Sequence, residues 1–458
     1  MTTLLDPTSH PAPTGADAEA ALAALVGADQ LVPLIDGPRV RYANLDYAAS
    51  APSLQVVADQ VSAILPLYSS VHRGAGYASQ VCTAAYEAAR STVADFVGAR
   101  EGDVVIFTRN TTDALNLLAS AIPETPTSAV VYLDIEHHAN LLPWQARDGR
   151  VVPARETLAQ TVAALEVELA RSPAALLAVT GASNVTGELL PLAELADLAH
   201  RYGARIAVDG AQLVPHRRVD IEAAGIDYLA FSGHKIYAPF GAGVLVGRRD
   251  WLDAAAPHLA GGGAVRSVSL EATVWTDAPA RHEAGTPNVV GAVALAAACR
   301  AVRELPADAV ERHEEALLRR LDEGLAAVGA VPLRLWAAET ERIAVVTFVL
   351  PGFTAELVAQ YLSAEHGIGV RDGKFCAHPL LTRFNATDGA VRASVGLGSR
   401  LADIDRLISA LAQLRADGPA WTYERINGYL APSPDPRELP SWLEPDDAGG
   451  PASPCVTG

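Results

Sequence analysis

Short apolar runs alternate with helical patterns through the middle of this chain. AVVYLD (129–134), ALLAVT (175–180), RIAVD (205–209), DYLAFS (227–232) and GVLVG (243–247) are nearly continuous in apolar residues, as strands buried on both faces are. Between them lie helical stretches such as PLAELADLAHRYG (191–203). Strands separated by helices predict a parallel or mixed sheet covered on both sides, an α/β core. Long helices over about 289–304 and 307–328 follow. Next come strands in IAVVTFVL and VRASV, with helices at 354–366 and 402–416. This second region reads as a smaller α+β domain. The expected division is an N-terminal arm (1–30) holding one short helix from Asp17 to Val26, a large domain (31–304), a small C-terminal domain (305–430) and a Pro-rich tail (431–458).

Composition narrows the function. With 458 residues, half of them hydrophobic, the chain can bury a large core and a second smaller one. A formal charge of -18 and a pI near 5.1 repel phosphate backbones and anionic lipid heads, so neither nucleic acid nor a membrane is expected as a partner. No basic segment followed by an apolar run opens the sequence, and no stretch reaches the roughly 20 apolar residues of a membrane span. A cytoplasmic location is the expectation. Cys82, Cys299, Cys376 and Cys455 form no CxxC pair, which fits neither a disulfide framework nor a metal site.

Of the 35 basic residues only two, Lys235 and Lys374, are lysine. Where a positive charge is enough, this chain uses Arg, so a remaining Lys is a candidate for amine chemistry that Arg cannot perform. In open α/β sheets ligands sit beyond the carboxyl ends of strands. Asp209 closes RIAVD, and Ser232, His234 and Lys235 follow DYLAFS as SGHK. A carboxylate and an amine at neighbouring strand ends suit a pyridoxal site, one stabilising a protonated ring nitrogen and the other joined to the aldehyde. A helix cap and a surface lysine remain the alternative on these residues alone. Asn110, Thr111 and Thr112 precede the helical run DALNLLAS, where free N–H groups and hydroxyls bind phosphate or simply cap a helix. His137, in EHHAN after the strand AVVYLD, offers a flat ring for stacking.

Taken together, NLDYAASAP (44–52), VHRG (71–74), FTRNTTDALNLLA (107–119), EHHANLLPWQ (136–145), ASNVTGELLPL (182–192), VDGAQLVPH (208–216), FSGHKIYAPFGAGVLVG (231–247), EAGTPN (283–288), VRDGKFCAHPL (370–380) and VRAS (391–394) resemble the class V aminotransferase family of fold type I, and within it the Suf-type cysteine desulfurases and selenocysteine lyases. The resemblance implies a mostly parallel seven-stranded sheet and pyridoxal 5'-phosphate bound as a Schiff base on Lys235. It also implies Asp209 at the ring nitrogen, Gln212 beside the phenolic oxygen and His137 stacked on the ring. Thr111, Thr112, Ser232 and His234 would hold the phosphate, with Thr286 reaching the phosphate of a second subunit in a homodimer. Asn184 and Arg392 would hold an amino-acid substrate, Arg392 by its α-carboxylate; Arg371 and Lys374 are further candidates to meet it, their charges favouring a thiolate at Cys376. Cys376 falls on the nucleophilic cysteine, with a sulfur-acceptor protein as a further partner.

Two departures stand out. Asp372, Lys374 and Phe375 replace the hydroxyl residue and two histidines usual before that cysteine, and Asn110 replaces a usual Gly. The expected reaction is therefore removal of sulfur from L-cysteine or a related thio- or seleno-amino acid. A C–S lyase or epimerase that does not use Cys376 is the alternative within the fold, and a scaffold without turnover the alternative outside it.

Overall fold

The apolar runs become strands of one sheet. In a computed structural model that describes residues 18–306, 308–336, 340–440 and 442–443, strands form at Val130–Leu133, Leu176–Thr180, Arg205–Asp209, Tyr228–Ser232 and Gly243–Gly247. Val104–Thr108 and Gly149–Val152 complete a seven-stranded sheet. Its order is Val104–Thr108, Gly243–Gly247, Tyr228–Ser232, Arg205–Asp209, Leu176–Thr180, Val130–Leu133, Gly149–Val152. Only Gly243–Gly247 runs antiparallel to its neighbours. The strand Gly149–Val152 had no apolar signature because it is the half-exposed edge.

Alternation along each strand divides the core between the two faces. Val208, Leu229, Phe231, Val244 and Val246 join one hydrophobic cluster, which also takes in the helices Leu192–Arg201 and Val289–Glu304. Ala207, Tyr228, Ala230 and Leu245 join the other, beneath the helix Thr111–Ala121. Burial on both faces is what a mostly parallel sheet requires. The α/β fold expected from the pattern is the fold found. No helix among the described residues is long and apolar enough to cross a membrane.

A third cluster builds the smaller C-terminal unit. The antiparallel strands Val331–Pro332, Val345–Val349, Ala390–Ser394 and Arg371–Gly373 pair in that order. Helices Ala309–Ala327, Ala355–His366 and Leu401–Asp417 cover them. Two features depart from the expected boundaries. Ala43 and Leu45 are buried in this C-terminal cluster, and Ala43–Asn44 pairs in parallel with Ile368–Gly369. The second departure is that the strand Tyr429–Pro432, paired with Tyr423–Ile426 as a hairpin, runs past residue 430 into the expected tail. The carboxylates of the helix Ala355–His366 anchor that hairpin: Glu365 accepts from the N–H groups of Ala420 and Trp421 and the hydroxyl of Tyr423, and Glu356 accepts from Arg425 and the N–H of Leu430.

The expected helix at Asp17–Val26 is corrected, apart from Asp17, which lies outside the described residues. Residues 18–26 contain no α-helix. Their backbone groups bind the body of the protein: the N–H groups of Leu22 and Ala23 donate to the carbonyl of Leu397, and that of Val26 to Ser53. Ala18 and Leu25 are buried, so this part of the arm is fastened down. Residues 1–17 and 444–458, with Cys455, lie outside the described residues.

A buried ionic knot ties the two units. His216 and Arg217, which follow the strand Arg205–Asp209, both bond the carboxylate of Glu314 on the helix Ala309–Ala327, Arg217 at 2.9 Å. His216 and Glu314 are buried, so removing the carboxylate takes the shared partner from a buried imidazole and a half-buried guanidinium. Glu314→Ala is expected to cost about 3–5 kcal/mol of stability, seen as an earlier midpoint in urea denaturation. An unchanged midpoint would mean that the knot does not hold the units together.

Candidate active site

The strand order puts the chemically useful residues on one edge. Thr180 pairs with Asp209, and Ser232 with Gly243, which also faces Thr108. All these positions lie at the same end of the sheet, where the chain turns into loops. A cavity of about 220 Å³ opens there, lined by Thr111, Thr112, His137, Asn184, Asp209, Gln212, Ser232, His234, Lys235, Arg371, Cys376 and Arg392 among others. Twelve of the fourteen residues singled out from the sequence thus meet in one place. Thr286 is exposed and does not line this cavity, and neither does Lys374. Beside Lys374, its neighbours Phe375 and Cys376 form the wall.

Each wall has a local cause. The helix Thr111–Ala121 begins at Asn110, whose side chain accepts from the N–H of Asp113. Asn110 therefore works as a helix cap. A Cβ on Gly243 would stand 2.5 Å from the Asn110 Cα, so the glycine lets this helix start press against the sheet. Ser232 accepts from the N–H of Thr111 at 2.8 Å and lies 2.7 Å from its hydroxyl. Hydroxyls at a helix N-terminus suit an anion.

His137 starts a short turn that a hidden network supports. Glu136, fully buried, accepts from the Asn140 amide and the Thr180 N–H, and Asn140 in turn accepts from Trp144. Burial raises the Glu136 carboxyl well above its ordinary range. The His137 Nδ1 accepts from the N–H of Ala139. Burial, then the Lys235 and His138 charges, push the ring down to about 3, so it is neutral and its flat face suits stacking rather than acid chemistry. His234 is likewise pushed down to about 4 by burial and Lys235. Gln212 donates to the carbonyl of Ala48, which fixes its amide at the cavity wall.

The charged groups are arranged by depth. Burial lowers the Lys235 amine to about 8, against the opposing pull of Asp209. Burial also raises Asp209, which accepts from the N–H of Ala211, while Lys235 lowers it. A buried carboxylate at one end of a cavity, a readily neutralised amine beside it and a hydroxyl-bearing helix start fit the ring nitrogen, aldehyde and phosphate of pyridoxal phosphate. Arg392, 4% exposed, donates from Nη1 to the Asn184 carbonyl at 3.0 Å and from Nη2 to Asp46 at 3.1 Å. Its Nε is buried without a partner among the described residues.

Cys376 is half-buried on a strained loop. Phe375 and Cys376 have φ of +53° and +52°, the left-handed region that bulky residues avoid. Two bonds hold them there: Asn184 Nδ2 donates to the Phe375 carbonyl at 2.9 Å, and the His138 N–H to the Cys376 carbonyl at 2.8 Å. Asp46, Glu136 and Asn140 were not singled out from the sequence. Asp46 lies within the quoted motif NLDYAASAP and Glu136 heads EHHAN, and a carboxylate set immediately before an aromatic residue was the available signal. Cys82 and Cys299 are buried away from the cavity, and burial raises the Cys299 thiol.

Comparison with known proteins agrees with this arrangement. The family model for aminotransferase class-V matches residues 43–407. A cysteine desulfurase of Dickeya dadantii is 40% identical over 81% of this chain and 92% of its own length. One of Synechococcus elongatus is 38% identical over 81% of this chain, which spans only 60% of that protein. The apo structure of a cysteine desulfurase from Thermococcus onnurineus superposes with a TM-score of 0.75 at 32% identity, covering 81% of this chain and 94% of that one. The chain belongs to the class-V aminotransferase family.

Proposed function

We propose that this protein removes sulfur from L-cysteine, or from a related thio- or seleno-amino acid, releasing alanine and leaving a persulfide on Cys376. The observation that carries the reading is that Cys376, Lys235 and Arg392 line one cavity, and relatives at 38–40% identity are named cysteine desulfurases. A thiol in that cavity argues against a lyase or epimerase in which Cys376 plays no part.

The family's cofactor fits the cavity. Asp209 would hold the ring nitrogen, His137 would lie on the ring, Gln212 beside the phenolic oxygen, and Thr111, Thr112, Ser232 and His234 would hold the phosphate. Thr286 of the partner subunit in a homodimer would complete that last site. Bound pyridoxal phosphate supplies an electrophilic carbon and an electron sink. The remaining work belongs to the chain. Asn184 and Arg392 orient the amino acid, the latter through its α-carboxylate. Lys235, whose amine burial lowers to about 8, would hold the aldehyde carbon of the bound cofactor and, when free, would take the proton from Cα. The Cys376 thiolate Sγ would form a bond to the substrate sulfur as the substrate Cβ–S bond breaks, the bonding pair staying on the carbon, which takes up a proton to become the alanine methyl. A thiol-bearing acceptor protein in the cytoplasm then collects the sulfur.

Three tests follow from these roles. Adding cysteine to the wild type should add one sulfur to the peptide containing Cys376, seen by mass spectrometry, and Cys376→Ala should lose at least ~10²-fold in rate while retaining cofactor. Normal turnover by Cys376→Ala with an unmodified wild-type peptide would overturn the reading. Because only the neutral amine is a nucleophile, the rate at which apoprotein takes up pyridoxal phosphate should rise with pH through about 8, not through the ordinary lysine value of about 10.4; Lys235→Ala should show no such rise. Finally, Thr286→Ala should shed cofactor faster on dialysis yet sediment as a dimer, and an active monomer would refute the shared site.

A further inference from the structure

Phe375 was read from the sequence as the loss of a polar group. Its surroundings give it a different part. The ring is buried and forms part of the cavity wall, with the Arg392 guanidinium carbon 5.2 Å from its centroid. A guanidinium over an aromatic face is held by the ring's negative quadrupole, more strongly where water is scarce. Asn184 closes the circle: its carbonyl accepts from Arg392 Nη1 and its side-chain amide donates to the Phe375 carbonyl. Arg392, Asn184 and Phe375 therefore each touch the other two.

The circle leaves one guanidinium nitrogen without a protein partner among the described residues. Nη1 is tied to Asn184, the guanidinium carbon sits over the Phe375 ring, and Nη2 meets Asp46. Nε is buried with no partner among the described residues. The Nε–Nη2 edge is one of the forks that match a carboxylate in plane, and Asp46 already shares its Nη2. Cys376, the next residue after Phe375, shares its left-handed backbone and is pinned by His138.

We propose that Phe375 is a positioning residue for the substrate: its ring holds the Arg392 guanidinium in place to receive the α-carboxylate, and its backbone fixes the Cys376 thiol relative to that carboxylate. This rests on the reading above that Arg392 receives an α-carboxylate. Aromaticity, rather than size or apolarity, is what the role requires. A leucine fills much of the same space without a π face.

The test compares two sulfur-free ligands on the dimeric holoenzyme by titration calorimetry: L-alanine, and ethylamine, which lacks the carboxylate. Phe375→Leu is expected to bind L-alanine about tenfold more weakly while its ethylamine affinity stays within about twofold, and Phe375→Tyr should bind both as the wild type does. Phe375→Met serves the same comparison if the leucine variant does not fold, which thermal melting would reveal. The proposal is overturned if the non-aromatic variants bind L-alanine normally, or if they lose both ligands equally, the mark of simple packing damage. A wild type that does not prefer L-alanine to ethylamine would remove the assigned role of Arg392 along with it. Neither ligand offers sulfur, so the outcome is independent of whether Cys376 accepts it.

Discussion

Arg392 places a full positive charge at the seam between the two units, where only 4% of the residue reaches solvent. Such a charge is costly unless the protein answers it at close range. The answer draws on three parts of the chain: Asp46 from the N-terminal segment, the Asn184 carbonyl from the loop after Leu176–Thr180, and the Phe375 ring from the loop after Arg371–Gly373. Meeting one charge therefore brings these segments to the cavity. It also explains why Ala43 and Leu45 leave the large unit for the C-terminal cluster: the segment that delivers Asp46 is carried by that packing.

The same economy of position governs the cofactor end. Parallel register delivers Thr180, Asp209 and Ser232 to one edge without any residue being chosen for reach. Lys235, three residues past the strand, inherits that placement. What tunes its amine is mostly the loss of water around it, with Asp209 pulling the other way. A small cavity in which burial sets protonation more than pairing does will be sensitive to anything that admits water.

How much could be read beforehand follows the range of the forces involved. Continuous apolar strands announce themselves locally, so Arg205–Asp209 and Gly243–Gly247 were placed to the residue. Twelve cavity residues were legible because motifs sit at strand ends, which the α/β plan brings together. The failures all needed distant partners. Residues 18–26 look helical in isolation, yet their N–H groups find Leu397 and Ser53. Asp46 gave no sign of its guanidinium partner 346 residues away. At Lys374 the cavity wall is made by the residues on its C-terminal side. Its neighbour Phe375 shows the converse: a departure from a familiar motif, legible as a gap, is filled by a contact that only three dimensions reveal.

The hairpin Tyr423–Pro432 bears on where this protein can be divided. The recognisable family region ends at residue 407, inside the helix Leu401–Asp417, and every cavity residue lies before it. A gene fragment trimmed to that boundary would encode the whole reaction chemistry and still be an incomplete folding unit. It would cut a helix whose Leu407, Leu411 and Leu414 are fully buried. It would also strip Glu356 and Glu365 of the donors that hold them, on the helix Ala355–His366, which packs directly against the strands carrying Arg371 and Arg392. In this chain the part that evolution makes recognisable is smaller than the part that must be inherited as one piece.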